Sequence, residues 1–281
     1  MLRDRVAIIT GAGNGIGREH ARLFASLGAQ VVVNDVELEN AQAVADEIGN
    51  GAVANNDNVA DFAGAERLVA QAVEEFGRLD VLINNAGILR DAFLHRMTEA
   101  EWDAVIAVHL KGHFAPLHHA SVHWRERSKG GETVDGAVVC TASASGTFLP
   151  NPGQINYGAA KAGIAALSLV ASQELSRVGV RVNCIAPVAR TRLTENVPGF
   201  VGEMMKVPDD PDAFDTFNPA HVSPLVAWLS STECQLTGKT FAVQGNSISE
   251  LTGWTSGETV THEEGWTAQA VAEKLGAAVT A

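Results

Sequence analysis

Tyr157 and Lys161, in the run Tyr157–Gly158–Ala159–Ala160–Lys161, are the residues of this chain with the most chemistry to offer. Four residues apart, they fall one turn from each other on the same face of a helix. An ammonium near a phenol stabilises the phenolate and is expected to lower a pKa that starts at about 10. Such a pair can pass a proton to or from a substrate oxygen.

A second feature lies far upstream. Thr10–Gly11–Ala12–Gly13–Asn14–Gly15–Ile16–Gly17 joins a β-rich run to a helical one. Gly11, Gly13, Gly15 and Gly17 permit a tight turn and a close backbone approach, and Asn14 and Ile16 open the helix. A pyrophosphate can then sit on the helix N-terminus, although a structural turn would use the same residues. Asp35 closes the next β-rich run, where a carboxylate can accept both hydroxyls of a ribose and would repel a 2′-phosphate. That favours NAD over NADP; the bland role for Asp35 is to cap the following helix. Asp57, Asn58 and Val59 stand where an adenine edge would lie. Asn84, Asn85, Ala86 and Gly87 end a further strand with residues small enough for a coenzyme to lie against the backbone.

These residues need a frame. Short β-rich runs alternate with helical stretches, which predicts a parallel sheet with helices on both faces. Strands are expected at Val6–Thr10, Gln30–Asn34, Ala52–Asn55, Val81–Asn84, Ala137–Thr141, Val180–Ile185 and Thr240–Val243. Helices are expected from about Ile16 to Leu27, and over Glu39–Ile48, Phe62–Phe76 and Pro224–Leu229, with a short one at Thr267–Leu275. Another should carry Tyr157 and Lys161 on to about Val178, and a long one from about Glu99 to Trp124 is expected to bend or restart around Pro116. Arg192–Pro219 breaks the rhythm with four prolines and with apolar Phe200, Met204, Met205, Phe214 and Phe217, which favours a lid over about 192–220. Residues 1–252 read as one domain. Residues 253–281 read as an extension, either an arm on a partner subunit or a cover on the site.

Composition narrows the partners. Of 281 residues, 33 are acidic and 20 basic, giving a formal charge of -13 that argues against nucleic acid. Cys140, Cys184 and Cys234 are far apart, as buried thiols in a reducing compartment would be. The chain runs from Met1 straight into a strand and has no apolar stretch of membrane-spanning length, so a cytoplasmic protein is expected. Histidines gather at His95, His109, His113, His118, His119 and His123, some at one-turn spacing. No carboxylate or cysteine joins them, and no metal site is expected.

The glycine turn, Asn84–Gly87, a serine after the fifth strand and the Tyr157–Lys161 pair resemble, in that order, a classical short-chain dehydrogenase/reductase. The resemblance covers about residues 4–250. It implies a Rossmann fold with a seven-stranded parallel sheet, a small-molecule substrate, and a homodimer or homotetramer. It also implies that Ser143 hydrogen-bonds the substrate oxygen, that Tyr157 is the acid/base, and that Lys161 holds the nicotinamide ribose. Ser145 is the alternative serine. His109 stands where the family usually has an asparagine that anchors a relay water. Pro187, Val188 and Thr191 fall where the nicotinamide ring and carboxamide would be met.

His109, with Ile88–Leu89–Arg90–Asp91 and Thr191–Arg192–Leu193–Thr194–Glu195, is most similar to the dehydrogenase domains of type 2 peroxisomal multifunctional enzymes and their bacterial relatives. That implies oxidation of (3R)-3-hydroxyacyl-CoA or of a 17β-hydroxysteroid with NAD. An NADPH-dependent 3-oxoacyl reductase and a non-catalytic NAD-binding protein are the rival readings.

Overall fold

In β1 (Val6–Thr10) the side chains alternate between two apolar clusters. Ala7 and Ile9 pack with Phe24 and Val44, whereas Val6 and Ile8 pack with Leu68 and Trp124. A strand buried on both faces is what a parallel sheet between two helical layers requires.

The computed structural model describes residues 1–191, 205–210 and 213–276. With β1, the strands β2 (Gln30–Asn34), β3 (Ala52–Asn55), β4 (Val81–Asn84), β5 (Gly136–Thr141), β6 (Val180–Pro187), β7 (Thr240–Gln244) and β8 (Ser247–Glu250) form one sheet in the order β3-β2-β1-β4-β5-β6-β7-β8. The first seven run parallel, in the expected Rossmann-type arrangement. The expectation of seven strands needs correcting, because an eighth pairs antiparallel with β7. Its cause is a two-residue turn at Gly245–Asn246, with Gly245 at φ 52°, that folds Ser247 back opposite Gln244.

Helices α1 (Gly15–Ser26), α2 (Leu38–Ile48) and α7 (Ser223–Leu229) cover one face of the sheet. Helices α3 (Phe62–Phe76), α5 (Gly112–Lys129) and α6 (Ile155–Leu175) cover the other. Helix α4 (Glu99–Ile106) starts from a reciprocal cap in which Thr98 Oγ1 accepts from the Glu101 N–H and the Glu101 carboxylate accepts from the Thr98 N–H. The long helix restarts at Gly112, four residues before Pro116, which sits inside α5. It is interrupted earlier, by one wide π-helical turn at Ala107–Lys111.

Residues 252–281 form a unit of their own that contains α8 (Ala268–Gly276). Of the expected lid, 192–204 and 211–212, including Phe200 and Met204, lie outside the described residues. Among the described residues no helix is long and apolar enough to cross a membrane.

Candidate active site

The candidate residues gather at the carboxyl edge of the parallel strands. β1 lies between β2 and β4, so successive crossovers diverge beside it and leave a crevice where ligands of open α/β sheets bind. The glycine turn fills the floor of that crevice. Gly11 has φ 62°, and a Cβ there would stand 2.7 Å from the Ala86 Cα. A Cβ on Gly17 would stand 2.2 Å from the Gly11 carbonyl oxygen. Gly17→Ala is therefore expected to destabilise the fold by about 1–3 kcal/mol, as overpacking does. A calorimetric melt beside a fluorescence titration with NADH would check it, and an unchanged Tm with unchanged binding would refute the packing argument.

Helix α1 begins at this turn without a side-chain cap, and the Asn14 Nδ2 is buried with no partner. Uncapped first-turn N–H groups and an orphaned amide donor suit an anionic ligand. Asp35 closes the other side. Its Oδ2 accepts from the Gly13 N–H at 3.1 Å and its Oδ1 from the Glu37 N–H at 3.1 Å. A Cβ on Gly13 would come within 2.7 Å of Asp35 Oδ2, so the carboxylate approaches this backbone closely only because the position is glycine. Glu37, not Asp35, is the N-cap of α2.

Asn85 stitches β4 to the turn by donating to the Thr10 and Gly11 carbonyls. Thr10 Oγ1 accepts from the Asn85 and Ala86 N–H groups, a role the sequence did not single out. Asn84 instead donates to the His113 carbonyl, behind the crevice. Asp57, Asn58 and Val59 are differently engaged. Asp57 pairs with Arg67 at 2.6 Å, Asn58 Oδ1 accepts from the Ala60 N–H, and Val59 is buried in the core. Asn34 reaches this corner as well, donating to Asn55 Oδ1 and to the Asp57 carbonyl.

The reactive group is built on α6 and the end of β5. Asn156, fully buried, donates to the Arg90 carbonyl at 2.9 Å and accepts from the Tyr157 N–H at 2.7 Å. It ties the start of α6 to the loop after β4 and so fixes where Tyr157 stands. Ser143 neighbours the Tyr157 phenol and favours its charged form. Its Oγ also accepts from the Ser145 N–H at 3.2 Å, while Ser145 is itself buried, so Ser143 is the serine brought to the phenol. Lys161 lies beneath, its Nζ 5.4 Å from the centre of the Tyr157 ring and donating to the Thr141 carbonyl at 2.6 Å.

The electrostatics correct one expectation. Burial raises the Tyr157 pKa above its ordinary value; Ser143 opposes that, and Asp91 adds to it. Lys161 is not among the groups that shift the phenol, so the expected lowering by its ammonium is not found and burial decides the direction. Lys161 itself is pushed down to about 8, mainly by burial. His109 meets the Tyr157 ring edge-on at 5.1 Å, and burial, with Lys161 nearby, lowers its pKa to about 3. It is a neutral imidazole. Its Nε2 faces both the Ile88 N–H, at 3.0 Å, and the Ile88 carbonyl, at 2.7 Å; the neutral ring can accept from the first or donate to the second according to its tautomer, and the buried Nδ1 has no hydrogen-bond partner. A Cβ on Gly87 would fall 2.4 Å from its Cε1, so this glycine makes room for the ring.

At the end of β6, Pro187 lies opposite Val243, and the Val188 N–H donates to the Val243 carbonyl. Thr191 faces the glycine turn, its Cγ2 3.4 Å from where a Gly15 Cβ would stand. The remaining histidines disperse. His113 is buried behind the site, and His118 and His119 pack on Phe62.

The sequence profile of the family described as short chain dehydrogenase matches residues 5–198. The hydroxyacyl-CoA dehydrogenase ChsB1 of Mycobacterium tuberculosis is 43% identical over 258 residues, covering 88% of this chain and 79% of that protein. The mouse peroxisomal multifunctional enzyme type 2 is 37% identical over 88% of this chain, which spans 32% of that longer protein. Among solved structures, a short chain dehydrogenase from Mycobacterium avium superposes with a TM-score of 0.89 at 46% identity, covering 99% of this chain and 96% of that one.

Proposed function

Since the chain belongs to the short chain dehydrogenase family and is an oxidoreductase, we propose that it oxidises the 3-hydroxyl of (3R)-3-hydroxyacyl-CoA thioesters with NAD. The observation that carries this reading is the convergence of Ser143, Tyr157 and Lys161 at the crevice whose far side is closed by Asp35. Gly11, Gly13, Asn14, Gly15, Ile16 and Gly17 would hold the pyrophosphate, Asp35 the adenosine ribose, and Lys161 the nicotinamide ribose. Asn85, Ala86, Gly87, Pro187, Val188 and Thr191 would line the remainder, with Asp57, Asn58 and Val59 near the adenine and Asn84 supporting them from behind.

When bound, the nicotinamide ring supplies the hydride acceptor. As the phenolate, Tyr157 Oη takes the proton of the substrate hydroxyl as the carbon loses its hydride, and the alcohol becomes a ketone. Ser143 Oγ holds the same oxygen during the change, and the ammonium of Lys161 offsets the negative charge that forms on it. His109, neutral and with Nδ1 unpartnered, can hold a proton-carrying water near Tyr157.

The name of the mycobacterial relative supports an acyl-CoA substrate over a steroid. Phe93, Leu94, Phe148 and Leu149 support an apolar substrate body. They are exposed on two loops joined by the Ala92–Gln154 bridge and by a hydrogen bond from Gln154 to Asp91. A cytoplasmic homodimer or homotetramer is part of the same reading.

The test is a screen of 3-hydroxyacyl-CoAs and steroid alcohols with NAD and NADP. Oxidation of the acyl-CoAs with NAD preferred by about a hundredfold, ~2.7 kcal/mol, is expected. Equal use of both coenzymes, or activity on steroids alone, would refute the proposal. In the Asp35→Ser protein the preference should shrink by about tenfold, because the carboxylate that repels a 2′-phosphate is gone.

A further inference from the structure

Arg190 carries a half-buried guanidinium that belongs to neither apolar cluster, and it stands one residue before Thr191. Its backbone N–H donates to the Phe217 carbonyl at 2.7 Å. Its Nη1 donates to the Met205 carbonyl at 3.0 Å and to Asp215 Oδ1 at 3.1 Å, and its Nη2 pairs with Asp215 Oδ2. The pair is shielded, with side-chain exposures of 12% and 19%. The hydrogen bond from Arg190 holds the Asp215 carboxyl below its ordinary pKa, so the carboxylate stays charged.

The acceptors are themselves anchored. Asp215 Oδ1 also accepts from the Phe217 N–H, and the Phe214 ring stacks on His221 at 4.7 Å. The Thr216 carbonyl and the Phe214 ring lie against Gly245, in the turn between β7 and β8. On the other side, the Val188 N–H is fixed to Val243 in the sheet. The chain from Val188 to Thr191 is therefore held at both ends, and the second fastening is Arg190.

We propose that Arg190 is the positioning residue for Thr191: its bidentate pair with Asp215 and its bonds to Met205 and Phe217 hold the Thr191 backbone against the glycine turn, where coenzyme binds. This rests on the coenzyme reading above. A bidentate Arg–carboxylate pair fixes geometry as well as charge, which lysine at the same place would not do. Removing one partner of such a shielded pair leaves the other uncompensated and frees the loop.

The experiment is a double-mutant cycle read by NADH affinity, from fluorescence titration of the wild-type, Arg190→Met, Thr191→Val and doubly substituted proteins, each with its Tm. Each single substitution is expected to weaken NADH binding by about tenfold, and the double by no more than about threefold beyond either single, because one acts through the other. Multiplying factors would overturn the assignment. So would an Arg190→Met protein of lowered Tm that binds NADH like wild type, since that marks a structural clamp alone. Should Arg190→Met fail to fold, Asp215→Asn keeps the bond to Met205 and should weaken NADH by about threefold in the wild-type background but not beside Thr191→Val. Unchanged binding in that variant would overturn the assignment equally. Wild-type protein that binds no NADH would sink the coenzyme reading itself, and this role with it.

Discussion

The Tyr157→Phe protein is expected to bind NADH within about twofold of wild type and to turn over about a thousandfold more slowly, the scale of a lost general acid–base group. No neighbour can take its place. His109 holds a proton only below about pH 3, and Ser143 is a hydroxyl with no base other than the phenol itself. The substitution deletes one oxygen and keeps the ring that meets His109 edge-on, so coenzyme binding should survive. The pH profile carries the sharper signature. Burial raises the Tyr157 pKa, so alcohol oxidation should climb with pH on the alkaline side as the phenol loses its proton. That climb should vanish in Tyr157→Phe. A variant within about tenfold of wild-type kcat, or one that keeps the alkaline limb, would remove the tyrosine from the chemistry.

Lys161→Met should separate function from stability. Turnover is expected to fall by about a thousandfold or more, since both the ribose contact and the charge beneath the phenol are lost. The Tm should nevertheless hold or rise, because an ammonium within an apolar interior is replaced by a side chain of similar length. Linkage gives the sign. The folded pKa of Lys161, about 8, lies below the ordinary 10.5, so the unfolded chain binds this proton more tightly. The lysine therefore weighs against folding below about pH 8, and that cost fades as pH rises toward 10.5. Melting curves of both proteins from neutral to alkaline pH should show the gap between them closing upward. A variant less stable than wild type at pH 7 would mean that the bond to Thr141 outweighs burial of the charge.

Much of this frame is legible in residue order. The seven parallel strands and the helices between them follow from β-branched runs punctuated by glycine, because a strand buried on both faces needs apolar residues at every position. The eighth strand escapes that rule: Ser247–Glu250 is exposed throughout, and its hydrophobic pattern carries no signal. The Gly245–Asn246 dipeptide is the legible cue, since a two-residue loop of that kind turns a chain back on itself. Pro116 points to the neighbourhood of the break and not to its place. Proline marks a missing donor, whereas the wide turn at Ala107–Lys111 that interrupts the helix has no residue type of its own.

At the site, side chains with chemistry were readable and those that hold them were not. Tyr157, Lys161 and Asp35 declare themselves by type and spacing. Asn156, Thr10 and Arg190 act through partners 66, 75 and 25 residues away, a proximity that exists only once the sheet has formed. The reversed shift of Tyr157 belongs to the same class. Spacing places a cation one turn away, but only the fold decides how deeply the phenol is buried, and burial sets the direction.

The wide turn at Ala107–Lys111 has a consequence for how this protein can change. It carries one residue more than the regular spiral would, and each residue turns the spiral by about 100°. Everything before it is thus phased separately from everything after it, as two screws joined by a washer. Losing a single amino acid there would mend the ladder of backbone bonds while swinging the imidazole of His109 away from Gly87. Length, at this point of the chain, is as tightly constrained as chemistry.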